Sequence, residues 1–193
     1  PGRPGWAVYL YAGAAGAPVW RAVRPFGGSD VPDAHGSFLA AVGDVDGDGE
    51  VDLVVGSPGS RPAAGAPRGA AFILSGRTGA LLRTLASPEP VDGVFGGAVG
   101  AAGDADGDGV PDVAVTDSEP TGGGDFRAVV RVYSGATGAA IRTYVSPNPE
   151  RFRGLTGPMT SLGDGDGDEL DDLVVAASGE TVDGVVGAGR VYV

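Results

Sequence analysis

The chain repeats itself every 60 residues, and each repeat carries the same acidic loop, at 44–52, 104–112 and 164–172. Aspartates recur at loop positions 1, 3, 5 and 9 in all three copies. Carboxylates this close repel one another unless a cation sits between them, so the spacing points to metal before any fold is considered. A long regular period also restricts the architecture, because internal repeats of this kind build propellers, solenoids or arrays.

Hard oxygen ligands point to calcium, which takes about 6–8 oxygens at roughly 2.3–2.6 Å from carboxylates, backbone carbonyls and water. Mg²⁺ fits less well, because it holds to a strict octahedron and keeps several waters. A tight turn can offer side-chain oxygens from positions 1, 3 and 5, a backbone carbonyl from position 7 and a carboxylate from position 9. The first loop then supplies Asp44, Asp46, Asp48, the Glu50 carbonyl and Asp52. The second supplies Asp104, Asp106, Asp108, the Val110 carbonyl and Asp112, and the third Asp164, Asp166, Asp168, the Leu170 carbonyl and Asp172. The alternative is three solvated acidic turns, since Asp and Gly favour turns in any case; equal spacing of three copies weighs against it. The loops are not EF-hands, which need a bidentate Glu at position 12 and flanking helices. Position 12 here is Val55, Val115 or Val175, inside short apolar runs that read as buried strands. Each acidic loop therefore joins two strands.

At 193 residues and 42% hydrophobic, the chain can bury a core as one domain, 1–193. Its 37 Gly and 15 Pro fall at regular offsets between apolar runs, as an all-β fold of short strands requires. The net charge is −12, and 15 of the 25 acidic residues lie inside the loops, so the acidity is mostly a metal signature. It argues against nucleic acid, which needs a basic footprint. All 13 basic residues are Arg, which excludes a Walker-type phosphate loop and a Schiff-base lysine. Cysteine is absent, so disulfides say nothing of redox compartment, and no apolar run approaches the roughly 20 residues of a membrane span. The start at Pro1 without Met is what a processed or excised piece would have, with any signal peptide or anchor outside it.

Alignment on the loops gives the remaining strands. A first strand precedes each loop (38–43, 98–103, 159–163) and a second follows it. A third reads 70–74, 129–133 and 189–193, and two of these enter a matched Ser-Gly-x-Thr-Gly turn, 75–79 and 134–138, suited to a hairpin. A fourth returns at 81–85 and 140–144. Four antiparallel strands per unit make a propeller blade, with repeats at about 24–85, 86–145 and 146–193. At the N-terminus, 6–11 and 19–23 read as a third and a fourth strand. The expected fold is an all-β propeller with three acidic-loop blades, closed as a monomeric ring by strand 19–23 completing the last blade. A two-chain ring of six blades and a piece cut from a longer propeller are the competing solutions.

The pattern resembles the FG-GAP repeats of integrin α-subunit propellers and of related bacterial secreted proteins. Phe95-Gly96 matches the family's opening Phe-Gly, and Gly56-Ser57-Pro58 is close to its Gly-Ala-Pro. His35-Gly36 and Leu155-Thr156 stand at the other openings, while Thr116-Asp117-Ser118 and Ala176-Ala177-Ser178 replace Gly-Ala-Pro. The resemblance implies structural calcium loops on one face and a partner on the opposite face. That face would be built here from strand 2–3 loops at 57–69, 117–127 and 178–187. Phe126 with Arg127, and Arg151 with Arg153, are its candidate anchors, since aromatic and Arg side chains dominate hot spots; capping the rim without contacting anything is the alternative.

No catalytic constellation is legible. The only histidine, His35, stands where the family has an aromatic packing residue, and there is no Gly-x-Ser-x-Gly elbow. Carboxylates around calcium would stay ionised, which is wrong for a general acid. The expectation is a non-enzymatic, secreted or cell-surface adhesion module binding calcium at three sites and a protein or polysaccharide partner. The alternative is a propeller domain of a calcium-dependent secreted lyase or phospholipase.

Overall fold

The computed structural model describes residues 7–14, 16–23, 38–61, 63, 65–89, 92–123, 125–146 and 157–193. Within them lie thirteen strands, all paired antiparallel, and no helix. β1 (Ala7–Tyr11) and β2 (Pro18–Val23) form a two-stranded sheet. The first four-stranded sheet runs in order β3 (Phe38–Gly43), β4 (Asp52–Ser57), β5 (Ala70–Leu74) and β6 (Leu81–Leu85). The second repeats it with β7 (Val99–Gly103), β8 (Asp112–Gly122), β9 (Asp125–Tyr133) and β10 (Ala140–Val145). The third has β11 (Met159–Gly163), β12 (Asp172–Ala177) and β13 (Arg190–Tyr192). Each sheet is a meander in sequence order, and β3, β7 and β11 lie next to one another. This is a propeller-like stack of successive sheets, not joined into a ring.

The core consists of the layers between successive sheets. Val8, Trp20 and Ala22 of the N-terminal hairpin pack on Val55, Phe72 and Leu74. Val54, Ala71, Ile73 and Leu85 of the first sheet meet Phe95, Val113, Val115 and Tyr133. Ala114, Val130 and Val132 of the second meet Met159, Leu173 and Val175 of the third. Burial follows from that stacking: the first seven residues of β8, covered on both faces, are all buried, whereas β12 alternates because only Leu173, Val175 and Ala177 meet a neighbour.

Two expectations are corrected. Strand 19–23 does not complete the last sheet: β2 pairs with β1 alone, and the hairpin sits beside the first sheet. The apolar side of the hairpin is covered there by the sheet nearest in sequence, reached with little loop-closure entropy. The segment 117–127 is not a loop but the far half of the β8–β9 hairpin, with Asp117 opposite Val129 and Pro120 opposite Phe126. Gly122 and Gly123, at φ 94° and 64°, make the reversal, and Glu119 and Arg127 pair across it.

The Phe-Gly pair of the second repeat acts as a joint. Phe95 is fully buried and meets the Tyr133 ring edge-on at 5.8 Å. A Cβ on Gly96 would fall 2.4 Å from the Ala70 carbonyl, and one on Gly56 2.2 Å from the Gly96 carbonyl, so both must be Gly for these backbones to touch. Gly96 N–H donates to Thr116 O, and in the third repeat Gly157 N–H donates to Ala176 O. Residues 24–37 and 147–156, with His35, Arg151 and Arg153, lie outside the described residues, as does Trp6.

The second repeat also holds a buried polar group of its own. Arg131 Nε donates to Asp117 Oδ2 at 2.8 Å and its Nη2 to Glu89 Oε1 at 2.7 Å, while the Ser87 hydroxyl donates to Asp117 at 2.6 Å. Arg131 faces Val115 in the register where Phe72 faces Val55.

Phe95→Ala removes the buried ring shared by two sheets and should cost about 3–5 kcal/mol. Thermal unfolding would register this as a drop of several degrees or more, at about 2–4 °C per kcal/mol for a chain of this size.

Candidate metal centres

Each acidic loop begins at the same irregularity. Pairing slips between Ala41 and Gly43, Ala101 and Gly103, and Ser161 and Gly163, and that bulge swings the chain out of the sheet into the loop. The position-1 carboxylate then organises the turn. Asp44 Oδ1 accepts Gly47 N–H at 2.8 Å and Asp48 N–H at 3.0 Å, and its Oδ2 accepts Gly49 N–H at 2.8 Å. Asp104 and Asp164 make the same three bonds. Position 3 accepts the amide of position 5, and position 5 accepts the amide of position 7, at Glu50, Val110 and Leu170. The loop is wound around its own carboxylates.

This winding brings oxygens together. One carboxylate oxygen from each of Asp44, Asp46 and Asp48 lies within 4.8 Å of the others, and the same holds for Asp104, Asp106 and Asp108. In the third loop the converging set is Asp164, Asp166 and Asp172, leaving Asp168 aside. Donor sets made only of carboxylate oxygen fit a hard cation such as Ca²⁺.

Position 9 does something the sequence did not reveal. Asp52 and Asp112 are fully buried and stand outside the converging sets. Asp52 Oδ2 accepts Val45 N–H at 2.8 Å, while Oδ1 accepts Gly76 N–H at 2.8 Å from the hairpin turn. Asp112 does the same with Ala105 at 2.9 Å and Gly135 at 3.0 Å. These aspartates tie loop to turn. The approach is so close that a Cβ on Gly76 would lie 1.8 Å from Val51 O, and one on Gly135 2.0 Å from Pro111 O. The legible signal was the recurrence of the Ser-Gly-x-Thr-Gly turn, whose glycines follow their aspartates by 24 and 23 residues. The third loop is tied instead through Asp171, whose carboxylate accepts Asp104 N–H at 3.1 Å, joining two loops.

The electrostatics bear the strain of crowding. Burial pushes the Asp112 carboxyl up to about 6, against the lowering effect of its two amide bonds. Desolvation and the carboxylates of Asp52, Asp48 and Asp44 raise Asp46. Arg77, from the turn 75–79, donates to Asp48.

Of the anchors expected on the opposite face, Phe126 is half-buried, and Arg127 donates to Glu119 at 2.7 Å, so its charge is already answered. A cleft of about 470 Å³ opens at the starts of β3 and β7, lined by Phe38, Leu39, Val99, Pro158 and Ser178.

Residues 36–74 match the FG-GAP repeat family. This stretch carries β3, the first acidic loop, β4 and β5, so the chain contains an FG-GAP repeat built around the first loop. No curated protein matches the chain. No helix among the described residues is long and apolar enough to cross a membrane.

Two outcomes follow from the loop geometry. Position 6 is left-handed in every copy, with Gly49 at φ 86°, Gly109 at 83° and Glu169 at 70°. A side chain there costs roughly 1–2 kcal/mol, so Glu169→Gly should stabilise the protein by about that amount in chemical denaturation. Where the third loop takes calcium, as proposed below, the same substitution should raise its affinity in titration calorimetry. Second, Asp46 and Asp112 hold protons more tightly folded than unfolded. The metal-free protein should therefore lose stability as pH rises from about 4, the ordinary carboxyl range, through the Asp112 value of about 6. Melting in chelator should be higher at pH 5 than at pH 7.5.

Proposed function

We propose that this chain is a calcium-stabilised, integrin-α-like propeller module that binds a protein or polysaccharide outside the cell, without catalysing a reaction. The observation that carries the reading is the convergence of three carboxylate oxygens within 4.8 Å in each of three loops, one of them inside an FG-GAP repeat. Asp44, Asp46 and Asp48, then Asp104, Asp106 and Asp108, then Asp164, Asp166 and Asp172 would hold the ions. Bound Ca²⁺ would supply positive charge that offsets much of the −12 of the chain. The protein's own part is structural: position-1 aspartates hold the loop backbone in place, and Asp52 and Asp112 fasten the first two loops to their hairpin turns.

The partner surface is assigned to the end opposite the acidic loops, where the strand 2–3 connections lie. The β8–β9 hairpin reaches out there beyond the length of the corresponding strands of the first sheet. Phe126 is the more suitable anchor, because Arg127 is already paired.

A site held at 100 times its Kd contributes about 2.7 kcal/mol, and extracellular-type sites bind at about 10⁻⁴–10⁻³ M. Removing calcium with EDTA should lower the melting temperature by several degrees, and millimolar Ca²⁺ should restore it while equimolar Mg²⁺ does not. An unchanged melting temperature with metal removal verified by elemental analysis would defeat the calcium reading. Glycan-array and extracellular-protein binding with and without Ca²⁺ tests the partner.

A further inference from the structure

The first two acidic loops are matched in aspartate positions, in the position-6 backbone angle and in the bonds their position-1, 3 and 5 carboxylates accept. They differ in their charged neighbours: Asp171 accepts Asp104 N–H at the second, while the first already contains a cation. Arg77 occupies the middle of the turn 75–79 that Asp52 fastens to the first loop. Its Nε donates to Asp48 Oδ2 at 3.0 Å, its Nη2 donates to Asp48 O at 2.5 Å, and Nη2 lies 3.7 Å from Glu50 Oε1. Asp48 Oδ1 meanwhile accepts Glu50 N–H at 2.9 Å, so both oxygens of this carboxylate are engaged. At the second loop the same turn position is Ala136. Among the described residues no ion pair reaches Asp104, Asp106 or Asp108.

We propose that Arg77 is a tethered counter-cation that sets the calcium affinity of the first loop, making it a weaker site than the second and the one that keeps its shape without metal. The inference rests on the calcium reading of the loops. Two effects act in the same direction. A metal ion drawing on Asp48 must share that carboxylate with the guanidinium or displace it, and it meets a positive charge a few ångströms away. Without metal, the same guanidinium relieves the repulsion among Asp44, Asp46 and Asp48 and pins the loop to the turn. The second loop has neither the competitor nor the substitute, so it should bind more tightly and depend more on metal.

The test isolates each loop in the full chain. Asp106→Asn with Asp166→Asn leaves the first loop intact, and Asp46→Asn with Asp166→Asn leaves the second. Calcium titration calorimetry at low salt should give a first-loop Kd about tenfold weaker than the second. Arg77→Ala should tighten the first loop roughly tenfold and lower the melting temperature in chelator, whereas Arg77→Lys should change both less. The reciprocal Ala136→Arg should weaken the second loop and raise its melting temperature in chelator, which keeps the proposal testable if Arg77→Ala folds poorly. Calcium binding unaltered by Arg77→Ala and by Ala136→Arg would overturn the role of Arg77 while leaving the calcium reading intact. Absence of calcium binding in the unmodified chain would overturn both.

Discussion

The structure hangs on a buried carboxylate that faces two ways. Asp52 accepts one amide from its own acidic loop and another from the hairpin turn of the same sheet, and Asp112 repeats the arrangement. The turn is in turn held by the preceding sheet: Trp20 Nε1 donates to Gly76 O at 2.7 Å, and Arg83 donates to the carbonyls of Gly135 and Ala136. Loop, sheet and neighbouring sheet are thus linked through one aspartate and one glycine in each of the first two repeats. An indole and a guanidinium fill the same role because only a donor at the right reach is needed. A buried carboxylate left without those amides would carry its full desolvation cost, so loop conformation and sheet stacking are not separable.

Much of this was legible, and the reasons are physical. Strands β3, β5, β6 and β11 have the boundaries that apolar runs and turn residues assign, because a β-branched or apolar run between glycines has few other ways to bury itself. The acidic loops were legible because carboxylate spacing is a strong local constraint. The β8–β9 extension was not: Ser118, Glu119 and Pro120 look like loop residues, and only pairing with Phe126, Arg127 and Ala128 makes them a strand. Which carboxylates converge was also hidden, since Asp52 and Asp172 share a loop position and the bond to the position-2 amide, yet only Asp172 joins a converging set. The difference lies in a turn glycine far along the chain. Ring closure failed for a related reason, because strand count carries no information about which sheet a hairpin covers.

Repetition also creates a hazard that the second repeat addresses. Sheets of near-identical shape can stack out of turn, and swapped or misassembled repeats are characteristic failures of such arrays. Arg131 stands where the first sheet has Phe72, and it is satisfied by Asp117 and Thr143 of its own sheet and by Glu89 of the connector leading into that sheet. Shifted back by one repeat, that connector would set Glu89 against a phenyl ring and leave buried Arg131 without one of its two carboxylates, a loss of several kcal/mol. The triad therefore acts as an address label, giving one segment of a repetitive chain a single place where its charges balance.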